Sequence, residues 1–526
     1  MYPPTSLPPA RATRWRWRSL AVPLALSALL GATAASAASP GDDGPRYDAP
    51  RDRGIRADRP PAPPRTAVPD AAMTSHDWGR ALRVGGAGND RVHGVAFGEA
   101  GDVYVIGDST SDWALDGHCR YADRRDCGNA FVARLDAGGR VAWVRSFGGG
   151  EDAPGHNTPR HFAVMSTIAY QPQSDLVIVQ GVWGQPLGPG FQQTLFVAAL
   201  HPDGRRAWIT EFDEERTRTD SIGGKRMLAT ADGGVVLTGT TRSDFDGHRH
   251  IGGHVNGSMN GDDVFVCKLD ADGKVAWSKL FGVPDPGPYD AHNDYVNAMA
   301  LDPKGNIHLF GGTHGDIVKH RKLWKWKQFH LRLSPAGRVL GATYEKTPST
   351  VVGAAFGADG SLFTLRLLPE SLPDGDRWRR LDEGLGAADL GLERHAPGGK
   401  RAWGVRFGTD KRDAGSRLVV TPDGDLVVGG VADLYGSQVD GLAYRFAPDG
   451  QRRWSWRVAA DPREGKGFFG RAQEEVRDVA VEPTRGIVAL AGSTSGDLFG
   501  NRNVTQPNGV VPDDGFVLLL PGPGKR

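Results

Sequence analysis

The chain has 526 residues, and its 63 basic and 62 acidic side chains leave a formal charge of +1. That balance argues against nucleic acid as the main partner. Its 73 glycines suit a turn-rich all-β protein rather than a helical one.

Residues 1–37 read as a secretory signal peptide, with Arg11, Arg14, Arg16 and Arg18 as its basic region. Leu20 to Leu30 is an apolar run short for a membrane span, and Ala35-Ser36-Ala37 is a small-residue cleavage site. An uncleaved anchor is the alternative. Residues 38–74 are rich in Pro, Arg, Asp and Ala, which predicts a disordered linker. The protein is thus expected to be exported, periplasmic or extracellular, with no transmembrane span after signal cleavage. The folded domain is assigned to residues 75–526.

Within that domain one phrase recurs seven times. It is two apolar strands around a turn, then a variable loop, then two more strands around a turn with Gly, the last usually opening on Trp. VAFGEAGDVYVIG followed by NAFVARLDAGGRVAW is a clear copy. Period-two alternation broken by Gly, Asp and Pro is the mark of half-buried strands. The first turn falls at Gly101, Asp175, Gly233, Gly305, Gly360, Gly424 and Gly486, a spacing of about 64 residues that signals a repeat array. The second falls at Gly139, Gly204, Gly273, Gly337, Gly399 and Gly450. Trp143, Trp208, Trp277, Trp403 and Trp454 follow it, with Leu340 in the fourth copy. Their expected role is packing between blades, an aromatic ligand ladder being the alternative. The seventh copy lacks its fourth strand. WGRALRVGG, opening on Trp78, matches the strand after Trp143, so the N-terminal strand is expected to pair beside Phe516 to Leu520. The predicted fold is an all-β, seven-bladed β-propeller of four-stranded blades, with the N-terminal strand closing the last blade and removing the open edge.

GND before an inner strand, GDVYVIGDSTSD and NAFVARLDAGGRVAW resemble bacterial seven-bladed propeller repeats of the SBBP type, over most of residues 78 to 520. That resemblance implies a fold and an exported compartment, and no activity. LDADGKVAW has a looser likeness to pyrroloquinoline-quinone-type repeats. Here Asp272, Asp203, Asp449 or Gly138 stands where those carry Thr, which implies shared blade packing only.

An acid precedes the inner strand in several copies: Asp90, Asp220, Asp294, Asp413 and Glu475. A carboxylate ring at the channel mouth could hold a cation or a basic or sugar-bearing partner. Alternatively, each acid bonds the amides of its own turn. Hydroxyl runs follow the second strands, as in Ser109-Thr110-Ser111 and Ser493-Thr494-Ser495. Asp244 and Asp246 form the best metal pair, and calcium is the one cofactor these residues raise. Cys119 and Cys127 share a loop and are expected to form a disulfide in an oxidising compartment. Cys267 reads as a packed strand residue. Histidines gather in the third and fourth copies, among them His248, His250, His308 and His330, and KHRKLWKWK at residues 319–327 joins basic and aromatic groups.

No nucleophile elbow, phosphate loop or zinc signature occurs. The expected function is a binding or scaffold module, monomeric, holding a protein or glycan partner through its rim loops. The alternatives are a carbohydrate- or lactone-active enzyme at the channel mouth and a structural envelope protein.

Overall fold

The alternating runs all become strands, and their turns fall where the glycines demand. In a computed structural model, Gly101, Gly233, Gly305, Gly360, Gly424 and Gly486 and the non-glycine Asp175 all adopt positive φ, between 50° and 86°. The second-turn glycines 139, 204, 273, 337, 399 and 450 do the same, at 75° to 84°. Left-handed backbone is costly for most residues, so these thirteen positions fix both hairpins of the first six blades and the first hairpin of the seventh. The structure describes residues 74–522 outside loop stretches, the longest being 112–128, 148–161, 213–221, 252–260, 285–292, 371–377, 460–472 and 499–512. All described residues belong to one unit, Pro61–Arg526.

Seven antiparallel sheets result. The first is Asp90–Phe97, Val103–Ser109, Asn129–Leu135 and Val141–Phe147. The inner strands of the next six are Phe162–Gln171, Ile222–Ala229, Tyr295–Leu301, Thr350–Phe356, Ala414–Val420 and Glu474–Val481. Each inner strand touches the next, and the seventh touches the first, so the seven sheets form a closed ring. This is a seven-bladed β-propeller. The fifth blade carries a short extra edge, Arg379–Arg380, parallel to Arg401–Phe407.

The ring closes as the repeat requires. Gly79–Val84 pairs antiparallel with Asp514–Leu520, Arg80 opposite Leu519 and Val84 opposite Gly515. Thr74–His76 adds a further outer strand to that sheet. The register differs from the sequence match by two residues. Arg134 faces Trp143 in the first blade, and the equivalent Leu519 faces Arg80. Trp78 itself lies outside the described residues, as do residues 1–73, which hold the expected signal peptide and nearly all of the expected linker.

The cores lie between blades. One joins Tyr104, Ile106 and Phe147 of the first blade to Val179, Trp183 and Phe196 of the second. Another carries the closing strand's Leu82 and Val84 against Val92, Val105 and Phe131. Trp183 stacks on Phe196 at 4.1 Å and Phe245 on Phe265 at 4.4 Å, which adds specific ring geometry to the burial.

The tryptophans clasp neighbouring blades. Trp143 Nε1 donates to the Pro202 carbonyl at 2.8 Å, Trp208 to Ala271 at 3.1 Å, Trp277 to Pro335 at 3.0 Å and Trp403 to Pro448 at 3.1 Å. In every case the acceptor lies in the next blade's second turn, and that turn's glycine faces the indole. A Cβ on Gly273 would lie 2.4 Å from the Trp208 ring. Where the fourth copy replaces Trp by Leu340, a Cβ on Gly399 would meet nothing within 4 Å. At the closing seam Leu82 covers Gly139 instead.

Candidate functional site

The rim acids are buried beneath the inter-blade connections. Asp90, Asp294 and Asp413 are each 0% exposed. Asp90 accepts from the Gly86 amide at 2.7 Å, from the Ser111 hydroxyl at 2.7 Å and from Ser109 Oγ. The Thr110 and Ser111 hydroxyls in turn accept from the Asn89 and Gly88 amides at 2.8 and 2.7 Å. The acid and the hydroxyl run, separate features in the sequence, are therefore one latch that holds the chain entering the blade. Asp294 accepts from the Val283 amide at 2.7 Å. Asp413 accepts from the amide and the hydroxyl of Thr409 at 2.5 and 2.7 Å. In the seventh blade the register makes Glu474 the equivalent of Asp90: Glu474 faces Thr494 as Asp90 faces Ser109. Glu475 lies one step on and forms an ion pair with Arg477 at 2.8 Å. Asp220 lies outside the described residues.

A second buried acid opens the third strand of several blades: Asp263, Asp440 and Asp514, with Asp389 one residue further in. These stand beside the first set at the junctions. A Cβ on Gly85 would lie 2.4 Å from Asp514 and 3.1 Å from Asp90, and one on Gly408 would meet both Asp413 and Asp389. Burial drives the Asp514 carboxyl up to about 7, with Asp90 and Asp513 adding to it and Arg83 at 2.7 Å opposing. Burial, then the nearby Asp389 and Asp410, raise Asp413 to about 6 against its bonds from Thr409.

Asp244 accepts from the His250 amide at 2.7 Å, and Asp246 takes a φ of 45° in the same turn. No group of three or more His, Cys, Asp or Glu side chains suited to a metal ion occurs among the described residues. Cys119 and Cys127 lie outside them. Cys267 is a fully buried strand residue whose thiol is pushed far up by burial. His308 and His330 bond each other at 2.9 Å between the second and third strands of the fourth blade. Trp326 of the basic aromatic run packs against Tyr295 and His314, each at 5.0 Å.

The strongest site feature escaped the sequence reading. All seven inner strands carry a β-bulge at the same level. The extra residues are His93, Ser166, Lys225, Asn297, Val352, Ser416 and Arg477. Bulges re-aim side chains, and this ring puts polar groups at mid-channel. Arg477 bonds His93 across the closing seam at 2.9 Å, and His93 bonds Asp108. Asp478 accepts from the Val95 amide at 3.0 Å and forms an ion pair with Arg417 at 3.3 Å. Ser416 Oγ donates to the Val476 carbonyl at 2.7 Å. Arg226 of the third blade reaches the sixth, donating to the Ser416 carbonyl at 3.0 Å and to its neighbour Lys225's carbonyl at 3.1 Å. The sequence did carry a signal: Lys225-Arg226, Ser416-Arg417 and Arg477-Asp478 each break the alternation with two polar residues in mid-strand.

Beside Arg226 and Arg417 lies a cavity of about 320 Å³, walled by the third to sixth blades. Its far end is lined by Ala229, Leu301, Phe356 and Val420, the last residues of four inner strands and all half-buried. Among its lining side chains only the two arginines are polar. Burial, then the Arg417 charge, lower the Arg226 guanidinium to about 10, with Asp478 acting the other way. Lys225 is lowered by burial and by Arg226, against Asp262. The cavity therefore has two guanidiniums at one end and apolar side chains along the rest of its lining.

No protein-family model matches the chain, and no curated protein matches it. Among solved structures, virginiamycin B lyase from Staphylococcus aureus is similar at 9% identity and a TM-score of 0.39, over 84% of this chain and 98% of the other. A protein of unknown function from Dyadobacter fermentans matches at 10% identity and a TM-score of 0.39, over 84% and 98%. Puromycin hydrolase matches at 13% identity and a TM-score of 0.38, over 79% and 54%. At such identities nothing about function follows, and the fold rests on the seven sheets themselves.

Proposed function

We propose that the protein is an exported binding module, and that its ligand enters the central channel. One observation carries this reading: the channel keeps an open cavity of about 320 Å³ while the rim carboxylates are committed to turn amides and hydroxyls. The size suits a small molecule. The module class follows the sequence; the contact moves from rim acids to channel wall. No observation favours the enzymatic reading. Among the described residues the carboxyls with raised pKa, Asp389, Asp413 and Asp514, are 0% exposed beneath the connections, out of a substrate's reach.

The test is a thermal-shift panel of sugars, lactones, amino acids and carboxylates on the wild type and on Ala229→Phe, which narrows the cavity. A ligand at a hundred times its Kd stabilises by about 2.7 kcal/mol. At least one compound should raise the wild-type Tm and leave Ala229→Phe unmoved. Compounds that shift both proteins equally would place the ligand elsewhere.

A further inference from the structure

The cavity's chemistry narrows the ligand class, an inference that rests on the channel reading above. Arg226 stands at mid-channel with two backbone carbonyls as its hydrogen-bond acceptors. Among the described residues no carboxylate lies within ion-pair distance of it. Arg417 beside it shares Asp478 at 3.3 Å, and that carboxylate is also bound by the Val95 amide. Two guanidiniums therefore meet beside a single carboxylate, Asp478. A guanidinium keeps its proton in a protein, so the cluster stays cationic. Half-buried cations that outnumber their counter-charge are unfavourable, and a bound anion relieves that cost.

The other lining side chains are apolar, set among backbone groups of the inner strands. Leu228, Met299 and Leu418 line the space between the arginines and the cavity's far end, where Phe356 and Val420 stand. A sugar or a nucleotide there would find no hydroxyl, amide or carboxylate side chain, and only strand edges for its polar groups. A molecule with one anionic head and an apolar body matches both ends of the space.

We propose that the channel binds an amphipathic organic anion. Its carboxylate sits against Arg226 and Arg417, and its hydrocarbon or aryl body lies along Leu228, Met299 and Phe356. Paired guanidiniums suit a planar carboxylate because each presents parallel N–H donors to its two oxygens.

Isothermal titration calorimetry of the full chain with sodium octanoate and with neutral octanamide tests this. Octanoate should bind, and octanamide should bind at least about tenfold more weakly, since a charge-assisted bond is lost. Arg226→Met and Arg417→Met, each checked for folding by circular dichroism, should weaken octanoate about tenfold or more and leave octanamide unchanged. If one variant does not fold, the other is read. Equal affinity for the two probes, or unchanged octanoate binding in a folded arginine variant, overturns the anionic head while leaving the channel reading intact. No heat from octanoate at millimolar concentration also overturns the proposal. In that case the thermal-shift panel decides separately whether any other ligand uses the channel.

Discussion

Trp143 Nε1 and the Pro202 carbonyl lie 2.8 Å apart, one in the first blade's outer strand and the other in the second blade's last turn. Trp143 is 4% exposed, and its ring packs at 6.1 Å from Tyr104. Trp143→Phe keeps most of the packing and removes one of the carbonyl's two donors, leaving Arg134 Nη1 at 3.0 Å, a loss of about 0.5–1.5 kcal/mol. Trp143→Ala also opens a cavity and should cost about 3–5 kcal/mol. Urea unfolding of both variants reads the difference. No loss in Trp143→Phe would mean that the hydrogen bond contributes nothing beyond the ring.

The glycines under these indoles give a comparison with its own control. Gly273 and Gly399 hold the same turn position, with φ of 80° and 83°. Alanine at either imposes left-handed backbone, at about 1–2 kcal/mol. Only at Gly273 does the new Cβ also strike an indole, Trp208 at 2.4 Å; at Gly399 it meets nothing within 4 Å. Gly273→Ala should therefore be the more destabilising by about 1 kcal/mol or more. If the two fall together in denaturant titration, the clasp is looser than the structure shows.

These positions also mark what the sequence could reveal. Blade number, both turn series and the closing strand were legible because strand period and turn glycine are local, and the repeat states them again and again. Trp78 was matched to Trp143 by likeness of residues, but the register is set by Val84 opposite Gly515 and by Leu82 over Gly139, which only the assembled seam displays. Glu474 and Glu475 look alike as adjacent acids until pairing puts Glu474 opposite Thr494. The channel was harder still. Lys225-Arg226 and Ser416-Arg417 are far apart in the chain, and nothing local says that a ring of bulges brings them to one lumen.

Asp514 makes a pH prediction. Its carboxyl rises from 3.8 to about 7 in the folded protein, through burial, Asp90 and Asp513, against Arg83. A raised acid binds its proton more tightly folded than unfolded. Its contribution to stability is full below about 4 and is lost as pH climbs through about 7. Buried His330, lowered by burial and by His308 to about 3, works the opposite way below about 6.5, so the wild-type profile alone mixes the two. Asp514→Asn removes one term. The Tm of Asp514→Asn minus that of the wild type should grow by several degrees between pH 5 and pH 8. A flat or falling difference across that range would show that Asp514 is ionised throughout.

Closure supplies the last prediction. Gly79–Val84 covers the outer edge of Asp514–Leu520, and Arg83 supplies the ion pair to Asp514. Ala81 and Leu82 are buried in the cores on either side of the seventh blade. A chain starting at Gly85 loses that strand and its buried side chains together and bares the Asp514–Leu520 backbone, a ready template for pairing with another chain. It should unfold at least about 10 °C lower, since several kcal/mol of burial vanish from one seam. Light scattering should also find it self-associated. A chain starting at Thr74 keeps the seam and should match the full protein in Tm. A truncation at Gly85 that stays monomeric with an unchanged Tm would mean that the ring is held by its inner strands alone, with the closing strand as mere cover.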